Sequence, residues 1–140
     1  MPFYRFISEQ ELDRIRNQRS LLPHGHYRPY GLNEITCVFE SDDLPGLFRR
    51  YGVALAEMRN MATGTKLVAI EVVVPPMRME LDKSQGSLLG GGWPESRALF
   101  EPIPLKHLRI VGEATVQSNL GGQVVFGPLR MLQLDLTPAS

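Results

Sequence analysis

Nine consecutive residues, Lys66-Leu67-Val68-Ala69-Ile70-Glu71-Val72-Val73-Val74, do most to limit what this chain can fold into. The run is apolar at nearly every position and rich in β-branched side chains, which favour extended backbone. A half-exposed strand would alternate polar and apolar residues. This one does not, so it is expected to lie at the centre of a sheet, buried on both faces. Thr63-Gly64-Thr65 precedes it and Pro75-Pro76 closes it.

The rest of the chain supplies neighbours for that strand. Phe3-Tyr4-Arg5-Phe6-Ile7 reads as a first strand, with Tyr4 and Phe6 on one face and Phe3, Arg5 and Ile7 on the other. Ser8-Glu9-Gln10-Glu11 is a capping box, and it starts a helix from about Glu9 to Gln18 whose inner face carries Leu12 and Ile15. Pro23 stops that helix, and the ring-rich segment His24 to Gly31 reads as a loop. Glu34 to Phe39 reads as a second strand with Cys37 inside it, a small buried hydrophobe rather than a nucleophile. Ser41-Asp42-Asp43 caps a further helix, on which Leu44, Leu47, Phe48 and Tyr51 form an apolar stripe. Gly52 is expected to break this helix, and Val53 to Met61 to restart it.

Beyond the central strand, Met77 to Asp82 is expected as another short strand or an extended edge, and Lys83 to Gly92 as a loop. Leu105 to Val111 reads as a strand that Gly112 separates from Glu113 to Val116. Asn119 to Gly122 signals a reverse turn into Gln123 to Phe126. Arg130 to Leu136 is a terminal alternating strand. Helices come early and strands late. That order predicts an α+β fold, with the early helices packed on a curved, mostly antiparallel or mixed sheet, rather than an alternating doubly wound one. A chain of 140 residues is expected to form a single domain, 1–140.

Several function classes drop out. Fifteen basic and fifteen acidic side chains cancel, which argues against a general nucleic-acid binder. There is no G-x-G-x-x-G, no phosphate-loop lysine motif, no H-E-x-x-H, no paired-cysteine motif and no G-x-S-x-G elbow. His24 and His26 lack further ligands at a recognisable spacing, so no metal is expected. One cysteine forbids an internal disulfide. The start of the chain lacks the apolar run of a signal peptide, and no stretch approaches the roughly 18 apolar residues of a membrane span. The expected setting is the cytoplasm, with no membrane partner.

The chemical lead lies in Gly90-Gly91-Gly92-Trp93-Pro94-Glu95-Ser96-Arg97-Ala98-Leu99-Phe100-Glu101-Pro102-Ile103-Pro104. Glycines free the first part of this stretch and prolines stiffen the rest of it. Glu101, between Phe100 and Pro102, reads as a solvated turn residue. Glu95 comes after the rigid Trp93-Pro94 pair and is the better candidate for a catalytic carboxylate. Arg5 among apolar neighbours is either a strand-end arginine or one aimed into a polar cleft. The rings of the Tyr27–Tyr30 segment, with Arg28, could stack a base or cover a ligand.

Tyr4-Arg5-Phe6-Ile7-Ser8 running into a capped helix resembles the opening of small ADP-ribosyltransferase-like domains of the bacterial toxin and phage type. Trp93 to Val111 resembles their late segment, in which a glutamate precedes a short strand, an Ile-Pro turn and another strand. The resemblance implies a split, curved α+β sheet and NAD as substrate, with ADP-ribose passed to a protein or nucleic-acid target and nicotinamide released. It implies Glu95 as the residue that stabilises an oxocarbenium-like transition state. It implies Arg5 on the dinucleotide phosphates and Tyr27 or Tyr30 stacked on the nicotinamide. The first strand lacks the family's usual histidine, and the glutamate motif lacks the paired-acid spacing of the arginine-modifying subgroup. The alternative is a non-enzymatic interaction or inhibitor protein of a phage or mobile element, with aromatic residues Tyr27, Tyr30 and Trp93 at its contact surface.

Overall fold

The computed structural model describes residues 1–23, 25–26, 34–74, 79–81 and 94–136. The elements in chain order are β1 (Phe3–Ser8), α1 (Glu9–Gln18), β2 (Ser20–Leu21), β3 (Gly25–His26) and β4 (Glu34–Glu40). A helical run comes next: α2 (Leu44–Leu47), a π-turn (Phe48–Gly52) and α3 (Val53–Met58). Then come β5 (Lys66–Val72), β6 (Met79–Leu81), β7 (Ser96–Leu99), β8 (Ile103–Pro104), a 3-10 turn (Leu105–His107), β9 (Leu108–Leu120), β10 (Gln123–Phe126) and β11 (Arg130–Asp135).

The apolar run becomes β5, and it does lie inside the sheet. The strand order is β10-β9-β5-β1-β4-β7-β6, with β11 also beside β9 and β3 also beside β4. These pairings are antiparallel. β5 buries alternate residues in different clusters, which explains its lack of a polar face. Leu67 and Ala69 join Tyr4, Phe6, Phe39, Phe48 and Tyr51 beneath the α2–α3 run. Val68, Ile70 and Val72 join Ile7, Leu12 and Ile15 beneath α1. The fold is therefore α+β, with helices on both faces of an antiparallel sheet. Val73 and Val74, at the end of the apolar run, lie past the strand and are exposed.

Two glycines differ from the sequence expectation, for the same physical reason. At Gly52 the helix does not break: the backbone stays helical (φ −61°, ψ −47°) and the run continues through the π-turn. A Cβ there would lie 2.7 Å from Phe48 Cδ2, so the glycine makes room for a core ring. At Gly112 the strand does not end. β9 runs on for 13 residues, with a register shift opposite Ala69 and Ile70. A Cβ at Gly112 would meet Leu129 Cδ1 at 3.3 Å and the Arg130 carbonyl at 3.4 Å. Both are glycines of close approach rather than of turning. The strand expected from Leu105 begins only at Leu108, after the 3-10 turn.

One junction in the sheet is short. β1 pairs with β5 over six residues but with β4 over two, Phe3 with Glu40 and Tyr4 with Phe39. Continuing that register would set Phe6 opposite Cys37. Instead two arginines satisfy the carbonyls of that missing rung: Arg5 Nη1 donates to the Cys37 carbonyl (3.0 Å) and Arg59 Nη1 to the Phe6 carbonyl (3.2 Å). A cavity of about 20 Å³ remains in this seam, lined by Arg5, Phe6, Cys37, Phe39, Leu55 and Arg59. That is room for about one water molecule.

Candidate functional site

Glu95 sits one residue before β7. Its carbonyl accepts a hydrogen bond from the Glu40 amide (2.8 Å), which ties it to the end of β4. Arg97 reinforces the corner: its Nε donates to Glu40 Oε2 (3.1 Å), and its Nη1 to the carbonyls of Pro94 (2.7 Å) and Ser96 (2.9 Å). Backbone position is thus fixed from both sides before the Glu95 side chain makes any contact.

That side chain reaches the π-turn. Tyr51 donates its hydroxyl to Glu95 Oε2 in a short hydrogen bond, and Arg50 Nη2 donates to Oε1 at 3.2 Å. Successive residues of an ordinary α-helix point about 100° apart. Here the wider turn, closed by the Val53 amide on the Phe48 carbonyl, brings two successive side chains to one carboxylate. The Tyr51 ring stacks on Phe39 at 4.8 Å between centroids and 6° between planes. The Arg50 guanidinium lies 5.7 Å from the Tyr51 ring centroid. Tyr51 is buried, while the Glu95 side chain is 29% exposed and that of Arg50 49% exposed.

The electrostatics come from this placement. Burial first, then the hydrogen bond and charge of Glu95, push the Tyr51 hydroxyl up to about 12; Arg50 pulls the other way. The Tyr51 hydroxyl is the main cause that holds the Glu95 carboxyl below its usual range, with smaller help from a backbone amide and Arg50, against the opposing effect of burial. At neutral pH Glu95 is an ionised acceptor and Tyr51 a permanent donor. Such a carboxylate can receive a ligand hydroxyl and can stabilise developing positive charge; it has no proton to give.

Arg5 is placed differently. Its Nη2 pairs with Glu11 Oε1 at 2.7 Å, both side chains are about nine-tenths buried, and its Nε has no partner among the described residues. The sequence candidates Arg5 and Glu95 therefore belong to two separate clusters. They are linked through Phe39, which lines the seam cavity with Arg5 and stacks on Tyr51. Tyr27 and Tyr30 lie outside the described residues, as do His24, Trp93 and Gly90 to Gly92; the backbone of His26 pairs with Glu34. Glu101 is exposed in a bend, and Cys37 is buried. Among the described residues no three His, Cys, Asp or Glu side chains gather as a metal site, and no helix is long and apolar enough to cross a membrane.

Sequence reading missed Tyr51, Arg50, Glu11 and Arg59. Tyr51 was visible only as part of an apolar stripe. The signal that could have found it is chemical: a tyrosine on a buried stripe carries a hydroxyl that needs a partner. Compared with known proteins, the chain matches no family model, no curated protein and no solved structure.

Proposed function

We propose that this chain transfers ADP-ribose from NAD to a protein or nucleic-acid acceptor, with Glu95 at the reacting centre. The observation that carries the reading is the ionised, two-point-held Glu95 carboxylate, partly open to solvent. In this chemistry the bond between ribose C1′ and the nicotinamide nitrogen breaks, and nicotinamide leaves with the electron pair. Positive charge develops on the ribose, where a fixed carboxylate stabilises it while accepting a hydrogen bond from a ribose hydroxyl. A nucleophile of the acceptor then bonds to C1′ and gives up its proton.

Arg50, half-exposed beside Glu95, needs to leave no buried partner to meet a phosphate. Arg5 would have to exchange Glu11 for one. Tyr27 and Tyr30 keep the stacking role that the family resemblance implies. The test is titration of the chain with NAD, and then assay of nicotinamide release for the native chain and for Glu95→Gln. Native binding or release with at least a hundredfold loss in the variant supports the reading. Absence of both in the native chain, with protein and nucleic-acid acceptors supplied, removes it.

A separate observation favours the non-enzymatic alternative. Val125, Met131 and Leu134 are each more than half exposed along β10 and β11, and among the described residues no strand pairs with the outer edge of either. An open edge of this kind can receive a strand from another protein. A partner retained equally by the native chain and by Glu95→Gln, but lost on Leu134→Lys, would select this reading.

A further inference from the structure

The Glu95 carboxylate has about four acceptor positions, two on each oxygen. Tyr51 takes one on Oε2 and Arg50 one on Oε1, and a backbone amide also bonds the carboxylate, so among the described residues at least one position stays open. The two donors are unequal. Tyr51 is buried, its ring is held by Phe39, and its hydroxyl cannot retract without abandoning the stack. Arg50 is half-exposed and screened by solvent, so its contact is weaker and easily exchanged.

We propose that Tyr51 is the positioning residue of this site: its hydroxyl, delivered by the π-turn and braced by Phe39, fixes the orientation of Glu95 so that its remaining acceptor capacity receives a hydroxyl donor of a ligand, such as a ribose hydroxyl. The inference rests on the reading of Glu95 given above, but it can fail separately from it. Among the described residues, the charged groups bonded to Glu95 or to its backbone corner are Arg50 on the π-turn, Glu40 on β4 and Arg97 on β7. Glu40 and Arg97 are already paired with each other at 3.1 Å. Tyr51 is thus the buried, uncharged member of the set, and its removal changes the hydrogen bonding of Glu95 without changing the charge count.

The experiment is a carbon-13 NMR titration of the Glu95 carboxyl in the native chain, Tyr51→Phe, Arg50→Gln and Phe39→Leu. Tyr51→Phe is expected to raise the Glu95 midpoint more than Arg50→Gln does. Phe39→Leu, which loosens the ring while keeping the hydroxyl, is expected to raise it by a smaller amount, and it serves if Tyr51→Phe does not fold. With NAD as the probe, Tyr51→Phe is expected to lower kcat about tenfold with KM little changed. A midpoint left in place by Tyr51→Phe and Phe39→Leu, or moved more by Arg50→Gln, overturns the proposal. The expected shifts in a native chain that neither binds nor cleaves NAD would leave the positioning role standing and remove the NAD reading.

Discussion

Of the arginine–glutamate pairs in this molecule, two have opposite characters. Arg5 and Glu11 meet at 2.7 Å with both side chains nearly sealed from water. Arg50 and Glu95 meet at 3.2 Å with both side chains partly open, and a tyrosine hydroxyl shares the carboxylate. The first pair replaces backbone: it fills the place where β1 and β4 stop pairing, and Arg5 also satisfies the Cys37 carbonyl. The second pair leaves acceptor capacity over. The difference teaches that burial decides what an ion pair is for. A sealed pair cannot lose a member cheaply, so it serves the fold; an open one can exchange partners, so it can serve a ligand.

The contrast breaks most readily at the sealed pair. Glu11→Ala strands a buried guanidinium and is expected to cost about 3–5 kcal/mol, read by urea or thermal unfolding. The double variant Arg5→Met with Glu11→Leu should recover part of that loss, because the two apolar side chains need no partner while the Cys37 carbonyl loses the Arg5 donor. A Glu11→Ala chain as stable as the native one would mean that the seam is not held by this pair. Next comes Gly52→Ala, whose added methyl group must displace the Phe48 ring. It should cost about 1–3 kcal/mol in the same unfolding assay. It should also disturb Glu95 through the π-turn, which a substitution at the sealed pair should not do.

The pH dependence is a smaller effect and separates the clusters differently. The folded Tyr51 value, about 12, lies above its ordinary value of 10.0. Its contribution to stability is therefore complete below pH 10 and lost as pH rises through about 12. Tyr4 is also raised, by burial first and then by Glu71 and Asp42, so Tyr51→Phe should remove only part of the alkaline loss. Glu95 titrates the other way. Its folded value is depressed, so its contribution is present above the ordinary carboxylate value and lost as pH falls through the folded one. Unfolding midpoints collected across pH for the native chain, Tyr51→Phe and Glu95→Gln check both limbs. The smallest effect belongs to Arg50→Gln, expected to cost less than about 1 kcal/mol in water and less still in high salt. A cost as large as that of Glu11→Ala would erase the distinction between the clusters.

How far the sequence revealed these clusters depended on distance along the chain. The Ser8 cap was legible, because it joins residues three apart: the Glu11 amide donates to Ser8 Oγ at 3.1 Å. That Glu11 would place Oε1 on Arg5 was not legible, since the strand-to-helix corner sets that contact rather than any helical spacing. The apolar run gave the central strand because Leu67 to Ile70 and Val72 are apolar on both faces, and all five are buried. Tyr51 gave only its ring, because the acceptor of its hydroxyl lies 44 residues later, just before a strand placed by β4. Gly52 and Gly112 were misread for a related reason. A glycine needed for space and a glycine needed for a turn look alike until the neighbour that fills the space is known.

The π-turn also has a bearing on how the gene can change. Such a turn is an α-helix into which one extra residue has been threaded while the turns on either side keep their packing. Leu47 and Leu55 are buried on the two sides of it. Deleting a single codon between them could restore an uninterrupted α-helix with the same buried ends. It would also rotate the intervening side chains by about 100°, and Arg50 and Tyr51 would no longer converge. The spacing of this helix, counted in codons, is thus as much a part of the Glu95 site as the residues that touch it.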